Sequence, residues 1–349
     1  MTRLIAQKDS AMSTFYDQAR SHFLQDTHFK LRQVFVYATT KCNSLCQTCR
    51  IYEREVAHLS VAAAERIADF VRVRDDAMIF FEGGEFFLHP EYEAILELAR
   101  GLNYCVVSNG QLTRRIVDAV ERHGIPRIAF SLDGPRETYR RVRGIDGFEA
   151  LMRTLMALKG RTRISIDSTI NPWNSHDDLR WVKSFCDEHG FGMAVQPMYP
   201  IAFFGSAPRK MEDYFFDVSD LMAKTSFLDA SVPFFRDELY LPCLNVREAI
   251  VVYPNGDVPL CHMRDGEILG NLNERGLAEI SDSRSARERQ AQALTCNRCW
   301  LNCQRIADVK LFEYFEERYP HAKLVEHFGP YSWPLPRGDF GRAGIGRAL

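Results

Sequence analysis

The 349-residue chain has no apolar run long enough to cross a bilayer, because charges break its longest hydrophobic stretches well before the roughly 18 residues a spanning helix needs. Its opening segment, MTRLIAQKDSAMSTF, lacks the apolar core of an export signal. It also lacks an excess of either charge: 44 Lys and Arg stand against 46 Asp and Glu, a formal net charge of -2. That balance removes the basic footprint of a nucleic-acid binder. No internal repeat or low-complexity segment stands out beyond the tail SWPLPRGDFGRAGIGRAL, whose Pro and Gly content predicts an irregular terminus. These absences predict an ordinary globular protein of the cytoplasm with neither a membrane nor a nucleic-acid partner.

Cysteine is what the chain does have, ten in all. Disulfide frameworks belong to small secreted domains, and no export signal is present, so the thiols call for another use. Eight fall in clusters. Cys105 and Cys186 sit where a strand and a helix are expected and read as small core residues.

Between residues 33 and 198, short apolar runs alternate with amphipathic stretches. The strand candidates are QVFVYAT (33–39), AMIFFEG (77–83), NYCVVSN (103–109), RIAFSLD (127–133), RISIDSTI (163–170) and GMAVQPM (192–198). Helical patterns lie between them, several ending in the Gly expected just past a helix. This rhythm predicts an α/β fold, a partial (β/α)6 TIM-like barrel, in which sites form at the C-terminal ends of the strands. After residue 200 the rhythm changes, and AIVVYPNGDVPLC shows two β runs flanking Asn-Gly, the signal of a β-hairpin. The expected organisation is an N-terminal helical extension (1–32), the barrel (33–200), a linker or helical connection (201–242), a small C-terminal module (243–310), and a helix with tail (311–349).

Cys42-x3-Cys46-x2-Cys49 follows the first strand directly, on the loop that opens over the barrel mouth. Three thiolates on one short loop can ligate three irons of a cubane and leave the fourth open. Zinc is the plainer alternative, but a structural zinc site wants four closed ligands, and no fourth Cys or His lies nearby in sequence before His58. Gly83-Gly84-Glu85 follows the second strand, where two glycines permit close backbone approach and the glutamate offers an acceptor for a charged amine. Ser108-Asn109-Gly110 and Ser131-Leu132-Asp133-Gly134 end the third and fourth strands, and each reads equally as a turn.

At these residues the sequence resembles the radical S-adenosylmethionine superfamily. The resemblance implies a [4Fe-4S] cluster on Cys42, Cys46 and Cys49 whose open iron is chelated by S-adenosylmethionine. It also implies reductive cleavage to methionine and a 5'-deoxyadenosyl radical that takes hydrogen from substrate. Gly83, Gly84 and Glu85 would receive the amino group of the cofactor, and Ser108, Asn109, Ser131 and Asp133 would contact ribose and methionine. Arg143, with Arg141 as rival, would pair with the methionine carboxylate. Thr48 departs from the aromatic residue common before the third cysteine, and Val195 is a candidate for adenine packing.

Cys243, Cys261 in Gly256-x4-Cys261, and Cys296-x2-Cys299-x3-Cys303 form the second cluster. Four of these thiolates can close a zinc site. The arrangement also resembles the SPASM or twitch extension of the same superfamily, which implies one auxiliary [4Fe-4S] cluster, acting as electron relay or substrate anchor. Which of the five cysteines is spare stays open. The resemblance implies an oxidoreductase-like enzyme that oxidises or rearranges a small molecule, with a peptide or protein maturase as alternative, recharged by a flavodoxin- or ferredoxin-type donor. A non-catalytic iron-sulfur or zinc protein is the competitor from another class and leaves Gly83-Gly84-Glu85 unexplained. No hydrogen donor is singled out: Cys105, Tyr199 and His262 each have an ordinary structural reading.

Overall fold

The computed structural model describes residues 15, 17–25, 30–199, 201–205, 214–222 and 226–333. The expected tail, much of the N-terminal extension and parts of the 201–242 connection therefore lie outside the described residues.

Six parallel strands run in chain order across one sheet: β1 (Arg32–Thr39), β2 (Ala77–Gly83), β3 (Tyr104–Ser108), β4 (Arg127–Ser131), β5 (Arg163–Ile170) and β6 (Gly192–Pro197). Each starts within one residue of its expected position. Helices cross between them: α1 (Val61–Arg72), α2 (Tyr92–Leu98), α3 (Thr113–His123), α4 (Arg136–Arg143), α5 (Phe148–Leu158) and α6 (His176–His189). Local chemistry sets their ends. The Ser60 hydroxyl caps α1 through the Ala63 N–H, and Ser175 with Asp178 forms a capping box at α6.

Alternation along the strands separates two faces. In β2, Ala77, Ile79 and Phe81 are buried toward the helices, while Met78, Phe80 and Glu82 are half-buried on the other face. In β5, Ile164, Ile166, Ser168 and Ile170 are buried, leaving Ser165, Asp167 and Thr169 on the lumen side. The first face packs with the helices into one large apolar core.

The sheet has a seventh strand, which the sequence reading did not place there. β7 (Ala249–Val252) pairs parallel with β1, from Gln33 opposite Ala249 to Val36 opposite Val252. The expected turn at Asn255-Gly256 forms, with Tyr253 N–H donating to Asp257 O at 2.9 Å. Its two arms nevertheless part. β8 (Asp257–Pro259) pairs antiparallel with β9 (Ile268–Asn271), and this is the hairpin of the small module. The reason is burial: all four β7 residues are buried, and an apolar strand covered on both faces completes the edge of a parallel sheet. Beyond the hairpin, α7 (Asn302–Arg318) packs with Tyr37, Val251, Tyr253 and Trp300 in a second apolar core that also borders Cys42, Cys49 and Cys303. Among the described residues no helix is long and apolar enough to cross a membrane.

Candidate active site

The loop after β1 is held from both sides by backbone. Gly84 N–H donates to Thr39 O at 2.7 Å and Glu85 N–H to Lys41 O at 2.8 Å; opposite, Leu45 N–H donates to Arg143 O at 3.0 Å and Gln47 N–H to Val142 O at 2.8 Å. The approach is so close that a Cβ on Gly84 would stand 2.2 Å from Lys41 O, and one on Gly144, which ends α4 at φ +69°, would stand 2.2 Å from Leu45 O. The two glycines at the end of β2 thus bring chain against chain beside the cavity that they also line. Replacing Gly84 by alanine is expected to cost about 1–3 kcal/mol by overpacking. Urea denaturation reads that loss, and iron analysis reads the accompanying distortion of the cysteine loop as metal lost from it.

Side chains finish the clamp. The Asn109 amide donates to Asn43 Oδ1 at 2.7 Å and to Ser44 Oγ at 3.2 Å, and the Gln111 amide donates to Ser44 Oγ at 2.8 Å. Asn109 is itself fixed by Glu85, whose fully buried carboxylate accepts from Asn109 N–H at 2.8 Å, the Ser108 hydroxyl at 2.9 Å and Phe87 N–H at 3.2 Å. Burial raises Glu85 to about 7 despite these donors.

Cys42, Cys46 and Cys49 line one wall of a cavity of about 220 Å³. Gly83, Gly84, Ser108, Asn109, Ser131 and Arg143 line it too, so the structure brings together six of the eight polar and glycine positions singled out for the cofactor. Glu85 and Asp133 stand behind the wall. Asp133 is buried, pairs with Arg143 at 2.6 Å and accepts from Thr169 N–H at 2.8 Å. Burial opposes the charge of Arg143, but Asp133 and Cys46 beside it outweigh that and hold the guanidinium above its ordinary range. The rival Arg141 turns away to the Trp173 carbonyl, and Val195 lies in a separate apolar cluster with Ile170 and Met198.

The donor set suits a cluster. Burial pushes the Cys42 thiol up to about 11 and the Cys49 thiol up to about 12, so these sulfurs become thiolates only when a metal takes the negative charge. Among the described residues no three His, Cys, Asp or Glu side chains close around a single metal ion.

Of the second cysteine set, Cys299 and Cys303 pack in the apolar core that holds Tyr37 of β1. Cys243, Cys261, Cys296 and Cys299 are close enough to interact electrostatically, and burial holds Cys243, Cys261 and Cys299 above the ordinary thiol range, Cys299 to about 12. The buried guanidinium of Arg305 hydrogen-bonds toward Cys243 and pairs with Asp308 at 2.6 Å. Cys303 neighbours Cys261 and Cys299 on one side and Glu82 on the other. Tyr37 bridges the two sets, with Cys49 and Cys303 both near its hydroxyl.

Of the three imagined hydrogen donors, Cys105 is buried in the sheet, the Tyr199 hydroxyl accepts from Trp300 N–H at 2.6 Å, and His262 meets the Gln304 amide at 2.9 Å. The cavity also takes residues that sequence reasoning missed: Glu82, Thr169 and Gln196 from the strands, and Ile201, Phe204 and Leu301 from outside the sheet. A carboxylate at the lumen position of an otherwise apolar β2 was the available signal for Glu82.

Residues 36–175 match the radical SAM superfamily, and residues 243–303 match the SPASM iron-sulfur cluster-binding domain. The chain therefore carries a radical SAM domain followed by a SPASM domain. Among curated relatives it is 28% identical over 165 residues to the Fe-coproporphyrin III synthase of Methanosarcina barkeri (strain Fusaro / DSM 804), covering 45% of this chain and 41% of that protein. It is 25% identical over 140 residues to the GTP 3',8-cyclase of Chlorobaculum tepidum (strain ATCC 49652 / DSM 12025 / NBRC 103806 / TLS), covering 38% and 42%. The chain thus spans about two fifths of the length of these relatives. In fold it resembles Streptococcus suis SuiB bound to S-adenosylmethionine, with a TM-score of 0.58 at 16% identity over 79% of this chain and 72% of that one. It likewise resembles anSMEcpe with bound AdoMet and Cp18Cys peptide, with a TM-score of 0.56 at 16% identity over 86% and 96%.

Proposed function

We propose that the protein is a radical S-adenosylmethionine oxidoreductase acting on a small molecule, with one auxiliary [4Fe-4S] cluster as electron relay. The observation that carries it is the single cavity shared by Cys42, Cys46, Cys49 and the polar ends of β2, β3 and β4. Cys42, Cys46 and Cys49 would hold a [4Fe-4S] cluster, which would supply the electron for reductive cleavage of S-adenosylmethionine. The chain's own part is placement. Arg143, charged and oriented by Asp133, offers its fork to the methionine carboxylate; Gly83, Gly84, Ser108, Asn109 and Ser131 line the cofactor's bed; Glu85 fixes the Asn109 turn behind it.

Ile201, Phe204 and Leu301 add apolar walls to the cavity, which suits a compact substrate. The relay reading rests on Tyr37 lying between the two cysteine sets. Cys243, Cys261, Cys296 and Cys299 are the four ligands of the auxiliary cluster, because Cys303 alone of the five also borders the lumen at Glu82. A flavodoxin- or ferredoxin-type protein delivers the electron.

Anaerobic reconstitution tests this. Wild type should hold about eight irons and release 5'-deoxyadenosine with dithionite and S-adenosylmethionine; Cys303→Ala should keep about eight, and Cys299→Ala should fall to about four. No 5'-deoxyadenosine from iron-loaded wild type overturns the enzymatic reading, and iron lost in Cys303→Ala overturns the ligand assignment.

A further inference from the structure

Cys46 is gripped on both sides by the C-terminal end of α4. Its neighbours Leu45 and Gln47 donate their N–H groups to Arg143 O at 3.0 Å and to Val142 O at 2.8 Å, and Gly144 fits so tightly that a Cβ there would collide with Leu45 O. The sulfur between them is therefore held at a fixed place against the helix end. A positive charge waits at that place. The Arg143 guanidinium donates to Cys46 Sγ at 3.9 Å through Nη1 and pairs with Asp133 at 2.6 Å through Nη2, and only 12% of its side chain is exposed. Asp133 is buried and fixed in turn by the Thr169 N–H at 2.8 Å.

A second observation concerns what the guanidinium leaves over. Its Nε is buried without a hydrogen-bond partner among the described residues, and Arg143 lines the same cavity as the three cysteines. One planar group thus reaches a cysteine sulfur with one nitrogen and keeps another for an acceptor in the cavity, while Asp133 holds it in place. The sulfurs are not served alike. Cys42 Sγ accepts from a neutral donor, the Ser44 N–H at 3.4 Å, whereas Cys46 Sγ meets a full charge. Of the Arg143–Asp133 pair, the cation is the member bonded to the sulfur, so the positive end faces the cysteine loop.

We infer that Arg143 sets the reduction potential of a cluster bound at Cys42, Cys46 and Cys49, raising it through its charge at Cys46 Sγ. This rests on the reading of those cysteines as cluster ligands. When one electron enters such a cluster, its net charge falls by one, and a cation at a ligand sulfur, shielded from water, favours that state. The electron comes from the external reductant, and no bond is made or broken in the step.

The test poises reconstituted holoenzyme, free of S-adenosylmethionine, with dithionite and redox mediators and follows the reduced clusters by electron paramagnetic resonance. The signal that Cys42→Ala/Cys46→Ala/Cys49→Ala lacks identifies the loop cluster, and the signal that remains reports the auxiliary one. In Arg143→Met the ratio of reduced to oxidised loop cluster at a fixed potential should fall about tenfold or more, a downward shift of about 59 mV for one electron. Arg143→Lys, which keeps the charge without the fork, should fall less. The auxiliary signal, whose neighbouring cation is Arg305, should hold its potential in both, which separates tuning from a general loosening of the fold. A loop cluster at the wild-type potential in Arg143→Met overturns the inference. If that variant loses its iron, Arg143→Gln, whose amide can still meet Asp133, takes its place with the same expected fall and the same overturning result. Release of 5'-deoxyadenosine by wild type is measured on the same preparation. Release with an unmoved potential in the neutral variant sinks the tuning alone, whereas a moved potential without release sinks the S-adenosylmethionine reading alone.

Discussion

Replacing Cys42, Cys46 and Cys49 together by alanine abolishes 5'-deoxyadenosine release, taking it down to the rate without protein, and removes about four of about eight irons. The clean outcome is expected because backbone bonds hold the loop, with the sulfurs adding only the long contacts of Ser44 N–H to Cys42 Sγ and Arg143 to Cys46 Sγ. Its path is set by Gly84 N–H on Thr39 O, Glu85 N–H on Lys41 O, Leu45 N–H on Arg143 O and Gln47 N–H on Val142 O, none of which a Cys→Ala change touches. The auxiliary set shares no ligand with this loop, so its irons stay. Burial holds the Cys42 and Cys49 thiols above their ordinary range, so they are neutral near pH 7 in the metal-free protein and their removal strands no charge; melting temperature without iron should change little. Measuring 5'-deoxyadenosine by chromatography and iron by chelation on the same preparations checks both halves. Release persisting in the triple variant would place cofactor cleavage elsewhere in the chain.

The parallel sheet was legible because β1 and β3 are buried on both faces and read as near-continuous apolar runs while β2 and β5 alternate, so β1 to β6 fall where VFVYA, MIFF, YCVV and their successors stand. β7 was not, since AIVV is four residues long and its partner is decided by an open edge more than 200 residues back in the chain. The cysteine loop was legible by spacing alone. The role of Glu85 was harder to read: a carboxylate after Gly-Gly can face a cavity or the next strand, and only the register of β2 against β3 turns it onto Ser108 and Asn109. Arg143 was found but not its dependence on Asp133, because the pair spans a helix and a strand end whose separation no local pattern encodes. Glu82 and Asp167 carried a signal, a charge at lumen parity in two strands, that becomes visible only once the barrel fixes which parity faces inward.

Truncating Arg305 to alanine is expected to destabilise the protein by about 3–5 kcal/mol, the cost of leaving one member of a buried ion pair without the other. Arg305 and Asp308 are 1% and 0% exposed on adjacent turns of α7. The guanidinium also donates to Leu241 O at 2.6 Å and lies over the Trp300 ring, while Asp308 accepts from Asn245 N–H at 2.6 Å. Those contacts tie α7 to the segment that carries Cys243, so the damage extends to the auxiliary set: with the positive charge gone, nothing nearby offsets the thiolate at Cys243. Burial already raises Asp308 to about 7, and removing Arg305, which lowers it, drives it further up. Stability of Arg305→Ala should therefore fall as pH rises through neutrality, because the native state then binds a proton that the unfolded chain, at its ordinary carboxylate value, has already lost. Urea denaturation across pH, followed by the fluorescence of buried Trp300, measures both the size and the slope. Replacing the pair by Arg305→Met with Asp308→Leu should recover much of the loss, since matched apolar groups leave no charge stranded. A double variant as unstable as the single one would mean that the hydrogen bonds to Leu241 and Asn245, and not the buried charge, are what hold this helix against the cysteine module.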